Sequence, residues 1–311
     1  MHLKTFCGSV NIMPEPVHQP KLTPDELLAG WTPRRVGRRI VVLPETSSTN
    51  TEALGFAEDS SADGLAILSD FQTAGRGRHG RAWLAPRGAS VLCSVLLLER
   101  GQNSSSASDA DRPTLPSSRN AADSPVGPSQ AAMPWDPTGW LTLASAVAAC
   151  EAIRRSTQIT PAIKWPNDLR VEGRKLAGIL IESRTLPAGR AYVVGVGINC
   201  YQQAGHFPPE LRATATSLDL IADHPIDRVA VARELLRSLD EAVADTSEEA
   251  QAQVYDRWQE YAEPIGQRVH LRSDGRDYTG RTVAVDPHGG LILQLDDGRR
   301  EWFDPLRTTF R

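Results

Sequence analysis

The segment from Gln72 to Trp83, QTAGRGRHGRAW, constrains this chain more than any other. Between positions 75 and 81 it holds three glycines and three arginines, and apolar runs predict strands on either side, Leu65–Phe71 and Ala89–Leu98. Glycine lets main-chain N–H groups approach a ligand closely, and guanidinium groups bind carboxylates and phosphates through two nitrogens. We therefore predict a loop that closes over an anion. A solvated basic hairpin tip and a nucleic-acid-binding arginine cluster are the alternatives.

Overall charge and composition limit how such a basic loop can be used. The chain has 311 residues, a net charge of −4 and a pI of about 6.0, so any cationic site is local. It has no apolar run of about 18 residues and no signal-peptide core. Its four cysteines are widely spaced without a C-x-x-C pair, which is typical of reduced thiols rather than of a disulfide frame or zinc site. We predict a cytoplasmic protein with no membrane or nucleic-acid partner.

Two segments fall outside the regions with clear periodicity. Residues 1–38 are irregular, although Thr23-Pro24-Asp25-Glu26 resembles a capping box and predicts a short helix through Leu28. Residues 101–138 contain eight serines and six prolines, and cannot bury enough apolar surface to offset the entropy of ordering. We predict a partly disordered N-terminal extension and a disordered surface insertion. The extension is too short and irregular for a three-helix DNA-binding domain.

Periodicity elsewhere predicts an α+β fold. Further strands are predicted at Arg39–Leu43 and Tyr192–Ile198, and helices at Thr51–Ala57, Gly139–Arg155, Ile226–Ala244 and Glu248–Tyr261. After Pro264 the pattern changes to short strands over 267–272, 277–285, 290–295 and 299–303, with Asp-Gly turns. We predict a mixed β-sheet backed by helices over 39–263, interrupted by the 101–138 insertion. A small all-β barrel is predicted over 264–311.

Two more stretches combine polar side chains with structural breaks. Pro44-Glu45-Thr46-Ser47-Ser48-Thr49-Asn50 supplies more hydroxyl and amide groups than one helix N-cap needs. In Lys164-Trp165-Pro166-Asn167-Asp168 the proline predicts a strand edge or end, and a hairpin follows with Lys175 at the start of its second strand. Gly195 and Gly197 lie inside a strand, where glycine marks close approach by a ligand or another backbone. Capping and packing alone would explain each signal taken singly.

Taken in order, these motifs closely resemble those of the biotin protein ligases. They are Ser48-Thr49-Asn50, Gln72 with Gly75-Arg76-Gly77-Arg78-x-Gly80-Arg81-x-Trp83, Lys164-Trp165-Pro166-Asn167-Asp168-Leu169, Lys175-Leu176-Ala177-Gly178-Ile179-Leu180-x-Glu182, and Gly195-x-Gly197-Ile198-Asn199. The resemblance covers about residues 39–311 apart from the 101–138 insertion, where we expect a short connection. Five motifs in this order are far more specific than any one of them.

The resemblance implies a fold, a reaction and partners. The fold is a class II synthetase-like catalytic domain followed by an SH3-like barrel. The carboxylate of biotin attacks the α-phosphate of ATP, giving biotinyl-5′-adenylate and pyrophosphate, with Mg²⁺ on the phosphates. A lysine of a biotin carboxyl carrier protein domain, from acetyl-CoA carboxylase or another biotin-dependent carboxylase, then displaces AMP. Some relatives carry an N-terminal helix-turn-helix and repress biotin genes, but here we predict no DNA binding. A homodimer is compatible with the resemblance.

The resemblance also assigns roles residue by residue. The biotin-binding residues would be Ser48, Thr49, Asn50, Gln72, Arg76, Gly77, Arg78 and Lys175. The ATP- or adenylate-binding residues would be Arg76, Arg81, Trp83, Asn167, Asp168, Gly178, Gly195, Gly197 and Asn199. The catalytic residues would be Lys175, Arg78 and Asp168, and Asp168 would also be the Mg²⁺ ligand. Trp83 has a second interpretation, as a core anchor that fixes the end of the loop.

Three other functions remain open from the sequence. A lipoate or octanoyl protein ligase shares the fold and the adenylation chemistry, although the arginine loop fits a biotin ligase better. A non-catalytic biotin sensor would not require the phosphate-side charges of Lys175, Asp168 and the loop arginines. An RNA-binding protein would need aromatic platforms and a broad basic face, which the sequence lacks.

Overall fold

The larger part of the molecule is built on a seven-stranded mixed sheet. The computed structural model describes residues 21–100, 137–286, 290–305 and 307–310. The strands are β1 (Ile40–Leu43), β2 (Ala66–Ser69), β3 (Ser90–Arg100), β4 (Ala162–Lys164), β5 (Asp168–Val171), β6 (Arg174–Leu186) and β7 (Gly189–Asn199). They lie in the order β1-β2-β3-β7-β6-β5-β4, with β1 and β2 parallel and the other neighbours antiparallel. The predicted mixed sheet is confirmed.

Helices cover both faces of this sheet. They are α1 (Pro24–Leu28), α2 (Thr49–Gly55), α3 (Pro137–Thr157), α4 (Arg228–Val243) and α5 (Glu248–Tyr261). Alternate residues of each strand point to opposite faces, so β3 contributes Val95 to the core under α3 and α4, and Leu96 to the core under α2. The α2 face also carries the glycines of β7, and this is where the polar motifs converge.

The segment before β1 is anchored through a buried carboxylate. Asp240 of α4 is 3% exposed, and it accepts hydrogen bonds from the backbone N–H groups of Arg34, Arg35 and Val36 at 2.7 to 2.8 Å. Upstream, Thr23 Oγ1 accepts from the Glu26 N–H at 3.3 Å, which confirms the predicted cap of α1. Residues 1–20 and 101–136 lie outside the described residues, and so do the predictions of disorder made for them; Pro137 and Thr138, which the predicted insertion included, belong to α3.

The C-terminal part is an all-β domain, as predicted. Its strands are β8 (Arg268–Ser273), β9 (Arg276–Asp286), β10 (Gly290–Leu295), β11 (Arg300–Phe303) and β12 (Thr308–Phe310), in the antiparallel order β11-β10-β9-β8-β12. The last of these strands was not predicted, because three residues are too short a run to show alternation. The rings of Trp165 and Phe310 form a T-shaped contact with their centroids 6.1 Å apart. This contact joins the C-terminal domain to the larger sheet next to β4.

Within the described ranges, no helix combines the length and the apolar composition that a bilayer-spanning segment needs.

Candidate active site

The N-terminus of α2 brings the predicted polar run against the central strands. Ser48, Thr49 and Asn50 are all buried, and the helix begins at Thr49 rather than at the predicted Thr51. Ser48 occupies the N-cap without a side-chain capping bond. The Thr49 backbone N–H donates instead to Gln72 Oε1 at 2.8 Å, at the point where the basic loop leaves β2. The polar run and the loop therefore meet, although 23 residues separate Thr49 from Gln72.

Ser94 of β3 completes what we call the polar corner, formed by Thr49, Asn50, Gln72 and Ser94. The hydroxyl oxygens of Ser94 and Thr49 lie 2.7 Å apart, Ser94 Oγ lies 2.6 Å from Asn50 Oδ1, and Thr49 Oγ1 lies 3.1 Å from Gln72 Oε1. Amide oxygens only accept, so two hydroxyl protons must serve three oxygen–oxygen contacts. With the Thr49 N–H on Gln72 Oε1, both hydroxyl protons are used within the polar corner, and its oxygens keep lone pairs that can accept from a ligand.

Glu182 of β6 joins the polar corner to the basic loop. Asn50 Nδ2 donates to its carboxylate at 2.7 Å, and Arg76 Nη2 donates to both of its oxygens at 3.1 and 3.2 Å. Gly195, on the neighbouring strand, leaves the room that this arrangement needs, because a Cβ there would lie 2.3 Å from Asn50 Oδ1. Glu182 was part of a recognised motif but had no predicted role, and Ser94 was missed as a single polar residue within an apolar run.

The basic loop is itself a tight hairpin. Arg76 and Ala82 form an antiparallel bridge, and the Gly77 N–H donates to the carbonyl of Arg81 at 2.7 Å. The turn at its tip has His79 in the left-handed region at φ 55°. Arg81 is exposed, but Arg76 is bound to Glu182, so the loop is more than a solvated hairpin tip.

Arg78 points away from the polar corner and towards the C-terminal domain. Its guanidinium donates to Asn167 Oδ1 at 2.9 Å, to the carbonyl of Thr308 at 3.2 Å, and to the carbonyl of Pro305. Burial lowers the pKa of Arg78 from its ordinary value, and the nearby carboxylate of Asp168 opposes this shift. In this conformation Arg78 contacts Asn167, which was predicted to bind ATP.

Lys175 and Asp168 form a close ion pair at the other end of the site. Their Nζ and Oδ1 atoms are 2.5 Å apart, and both side chains are about one-third exposed. Asn167, next in the chain, is held by its Nδ2 donating to the Ile179 carbonyl at 2.6 Å. We call Arg78, Asn167, Asp168 and Lys175 the charged cluster. The Lys175 main chain is fixed on a second side, because its N–H donates to the Thr214 carbonyl at 2.7 Å.

Trp83 lies between the polar corner and the charged cluster. Its indole covers a pair of glycines that face each other across β6 and β7, Gly178 and Gly197. A Cβ at Gly197 would come within 2.7 Å of the indole ring, and Lys175 Nζ lies 5.7 Å from the ring centroid. The indole nitrogen is buried and has no hydrogen-bond partner among the residues that the structure describes. These contacts are those of a residue that lines the site, and they also fix the end of the loop.

Gly195, predicted to bind the adenylate, lies against Asn50 of the polar corner, and two further predicted site residues are also placed differently. Arg81 is exposed, as noted above. Asn199 is buried, and its amide is already bonded within the protein: Nδ2 donates to the Thr216 carbonyl at 2.9 Å and Oδ1 accepts from Gln202 Nε2 at 2.8 Å. Its contacts in this structure support the end of β7.

The described residues offer few ligands for a metal ion. Nowhere among them do three His, Cys, Asp or Glu side chains converge on one position that could hold a metal. Asp168 contributes a single carboxylate at the site, next to Lys175. This set fits a Mg²⁺ ion that arrives with phosphate oxygens and water, which needs only one or two protein carboxylates, and does not fit a cage built by protein alone.

Comparison with known proteins agrees with this arrangement. The Biotin/lipoate A/B protein ligase family matches residues 42–110 and 126–199, and the biotin protein ligase C-terminal domain matches residues 265–304. The bifunctional ligase/repressor BirA of Bacillus subtilis is 30% identical over 279 residues, which are 89% of this chain and 76% of the relative. The biotin–[acetyl-CoA-carboxylase] ligase of Mycobacterium tuberculosis is 32% identical over 273 residues, covering 86% and 85% of the two chains.

Solved structures resemble this one in fold. A biotin protein ligase from Aquifex aeolicus, in complex with biotin and ATP, superposes with a TM-score of 0.65 at 24% identity, covering 88% of this chain and 99% of that one. The family match, the two relatives and the order of the motifs all agree. This chain belongs to the Biotin/lipoate A/B protein ligase family and is a ligase of the biotin protein ligase type.

Proposed function

We propose that this ligase activates biotin with ATP as biotinyl-5′-adenylate and transfers the biotinyl group to a lysine of a biotin carboxyl carrier protein domain. The observation that carries the proposal is the pairing of a polar corner that offers acceptor oxygens with a charged cluster that supplies fixed positive charge. Trp83 lies between them, over Gly178 and Gly197. Such a site suits a ligand with a neutral ring at one end and an anionic reactive group at the other.

The polar corner supports a ureido ring as the neutral end of the ligand. Three oxygen–oxygen contacts share two hydroxyl protons there. Since both protons are used within the corner, a ligand N–H can donate to the lone pairs that remain, and a cyclic urea carries two N–H groups beside one carbonyl. Ser48, buried beside this corner, and Arg76 remain proposed biotin-binding residues. A lipoyl ring carries no N–H group, so the same corner favours biotin over lipoate.

The charged cluster supports an adenylation step. An oxygen of the biotin carboxylate forms a bond to the α-phosphorus of ATP while the bond to the bridging oxygen breaks and pyrophosphate leaves. Both reactants are anionic, and fixed cations lower the cost of their approach and of the charge that builds up in the transition state. Lys175 and Arg78 are the proposed cations, with Asn167 orienting Arg78. Mg²⁺ would enter on the ATP phosphates and neutralise part of their charge, with Asp168 as its protein ligand.

The second step needs an amine that has lost its proton. A free lysine titrates near about 10.4, so the acceptor lysine arrives mostly protonated at neutral pH. The amine nitrogen forms a bond to the biotinyl carbonyl carbon, the bond to the AMP oxygen breaks, and a proton must leave the nitrogen. We propose Asp168 as its acceptor. If Asp168→Asn transferred biotin from supplied adenylate at the wild-type rate, Asp168 would have no role in this step.

The names of the relatives support the proposed partner. The Mycobacterium tuberculosis relative is named for acetyl-CoA carboxylase, and such carboxylases carry their biotin on a carrier domain. The Bacillus subtilis relative is named as a repressor as well as a ligase. We retain the prediction that this chain does not bind DNA. A shift of biotin-operon promoter DNA on a gel, in the presence of biotin and ATP, would contradict it.

Pyrophosphate exchange into ATP is the decisive experiment. We expect labelled pyrophosphate to enter ATP only when biotin is present, and not with lipoate or without an acid. Exchange that depends on lipoate would keep the chemistry and overturn the assignment of the polar corner. Binding of biotin without any exchange would instead indicate a sensor that does not catalyse adenylation.

A further inference from the structure

We propose that Glu182 is a positioning residue for biotin, which sets the orientation of the Asn50 amide and fixes the base of the basic loop through Arg76. This inference rests on the proposed function, because it concerns how the same site recognises its substrate. It goes further because it gives a specific role to Glu182, whose carboxylate contacts Asn50 and Arg76 and is not one of the reacting groups.

The carboxylate of Glu182 determines how the Asn50 amide is oriented. An ionised carboxylate only accepts hydrogen bonds, so the group that faces it at 2.7 Å must be the NH₂ of Asn50. The amide oxygen is thereby turned towards Ser94 Oγ, 2.6 Å away, and towards Gly195, where no Cβ fits. Glu182 therefore makes the inner surface of the polar corner an acceptor surface. A ligand that donates hydrogen bonds is selected by that orientation.

Glu182 also anchors the basic loop through Arg76. Arg76 Nη2 contacts both oxygens of Glu182, and Arg76 Nη1 donates to Thr51 Oγ1 of α2 at 3.0 Å. The guanidinium therefore ties the base of the hairpin to β6 and to α2 together. The main chain of Arg76 is bridged across the hairpin to Ala82, which lies one residue before Trp83.

The ion pair of Glu182 and Arg76 also balances charge beside the polar corner. Glu182 and Arg76 compensate each other's charge, with side chains 29% and 40% exposed. Without the carboxylate, an unpaired cation would remain beside the polar corner, and the Asn50 amide would be free to flip. Both effects act on the biotin end of the site. The charged cluster keeps all of its described contacts, since none of them involves Glu182.

The test compares Glu182→Ala and Glu182→Gln with a matched control, Glu58→Gln. Like Glu182, Glu58 pairs with an arginine: its carboxylate lies 3.9 Å from Arg184 of β6, outside the site. Glutamine can still accept from Asn50 through its amide oxygen but cannot balance the charge of Arg76. The readouts are the KM values for biotin and for ATP in pyrophosphate exchange, measured at low and at high salt.

We expect Glu182→Ala to raise the KM for biotin about tenfold to a hundredfold, with the KM for ATP unchanged. Glu182→Gln should recover part of this loss, and its remaining difference from wild type should shrink at high salt, because salt screens the ion pair in the wild type. Glu58→Gln should match the wild type throughout.

Two results would overturn the inference. The first is a wild-type KM for biotin in both Glu182 variants, or an equal rise in both KM values, because either means that Glu182 does not act on biotin selectively. The second is a wild-type enzyme without biotin-dependent exchange, which removes the proposed function itself. If circular dichroism finds Glu182→Ala unfolded, the Glu182→Gln variant decides, because it keeps the size of the side chain and an acceptor.

Discussion

One added methyl group at Gly195 should separate biotin binding from ATP binding. A Cβ at this position would lie 2.3 Å from Asn50 Oδ1 and 3.0 Å from its Cγ. The β7 backbone is paired on both sides, with β3 and with β6, so it cannot retreat. In Gly195→Ala, the Asn50 side chain must therefore move by roughly 0.7 Å to bring its oxygen to the shortest tolerable contact of 3.0 Å.

The cost of this movement follows from the bonds that Asn50 makes. Its NH₂ donates to Glu182 at 2.7 Å, and its oxygen lies 2.6 Å from Ser94 Oγ. A hydrogen bond to a charged group contributes about 1.5–3 kcal/mol, and overpacking by a methyl group costs about 1–3 kcal/mol. We take about 2 kcal/mol as the loss of binding free energy for a ligand in the polar corner, which corresponds to a Kd for biotin raised about 30-fold.

The assay is calorimetric titration of biotin, and the KM for ATP is measured by pyrophosphate exchange on the same protein. Gly55→Ala is the matched control, because Gly55 ends the helix that carries Asn50 and a Cβ there would meet no atom within 4 Å. We expect that control to bind biotin like the wild type. A folded Gly195→Ala protein whose Kd for biotin is within about twofold of the wild type would refute the placement of Asn50 in the biotin pocket.

Two further predictions concern groups outside the site. Asp240→Ala should lower the free energy of unfolding by about 3 kcal/mol, because it removes the common acceptor of three backbone donors, of which the Val36 N–H is buried, and thermal or urea unfolding measures it. An unchanged unfolding midpoint would contradict this. Burial raises the pKa of Cys93 and of Cys200 to about 12. Both thiols should therefore stay unlabelled by a thiol reagent at pH 8 until the protein unfolds, as peptide mass spectrometry would detect; rapid labelling of the native protein would contradict this.

Long periodic segments were the most predictable parts of the fold. Helix α5 and strand β10 have the bounds that their patterns predicted, because many apolar positions specify each of them. Pro166 was predicted to mark the edge or the end of a strand, and β4 both ends at Lys164 and forms the edge of the sheet. Such local rules hold where the backbone itself imposes the constraint.

The start of α2 was harder to predict, since its polar residues serve tertiary contacts. A run of Ser, Thr and Asn usually signals a side-chain N-cap, which led to a predicted start at Thr51. In the structure the helix begins at Thr49, and the bonds of Thr49 and Asn50 go to Gln72 and to Glu182, 23 and 132 residues away. The sequence contains these partners, but nothing local pairs them.

The site, too, depends on contacts between residues far apart in the chain, which local sequence patterns do not pair. The motifs assigned Lys175, Asp168 and Asn167 to the site, and the structure places them in one cluster because β5 and β6 form a hairpin. The direction of Arg78 could not be predicted. Its partners are carbonyl groups 227 and 230 residues further along the chain, and one of them belongs to the short strand β12 that the sequence pattern missed.

The contact of Arg78 with the C-terminal domain has an evolutionary consequence. Its acceptors there, at positions 305 and 308, are main-chain carbonyls, which every amino acid possesses. Substitutions at either position can therefore accumulate without weakening the contact, as long as the path of the backbone is kept. Insertions or deletions near β12 would break it at once. Among related chains this segment should thus tolerate changes of residue while resisting changes of length.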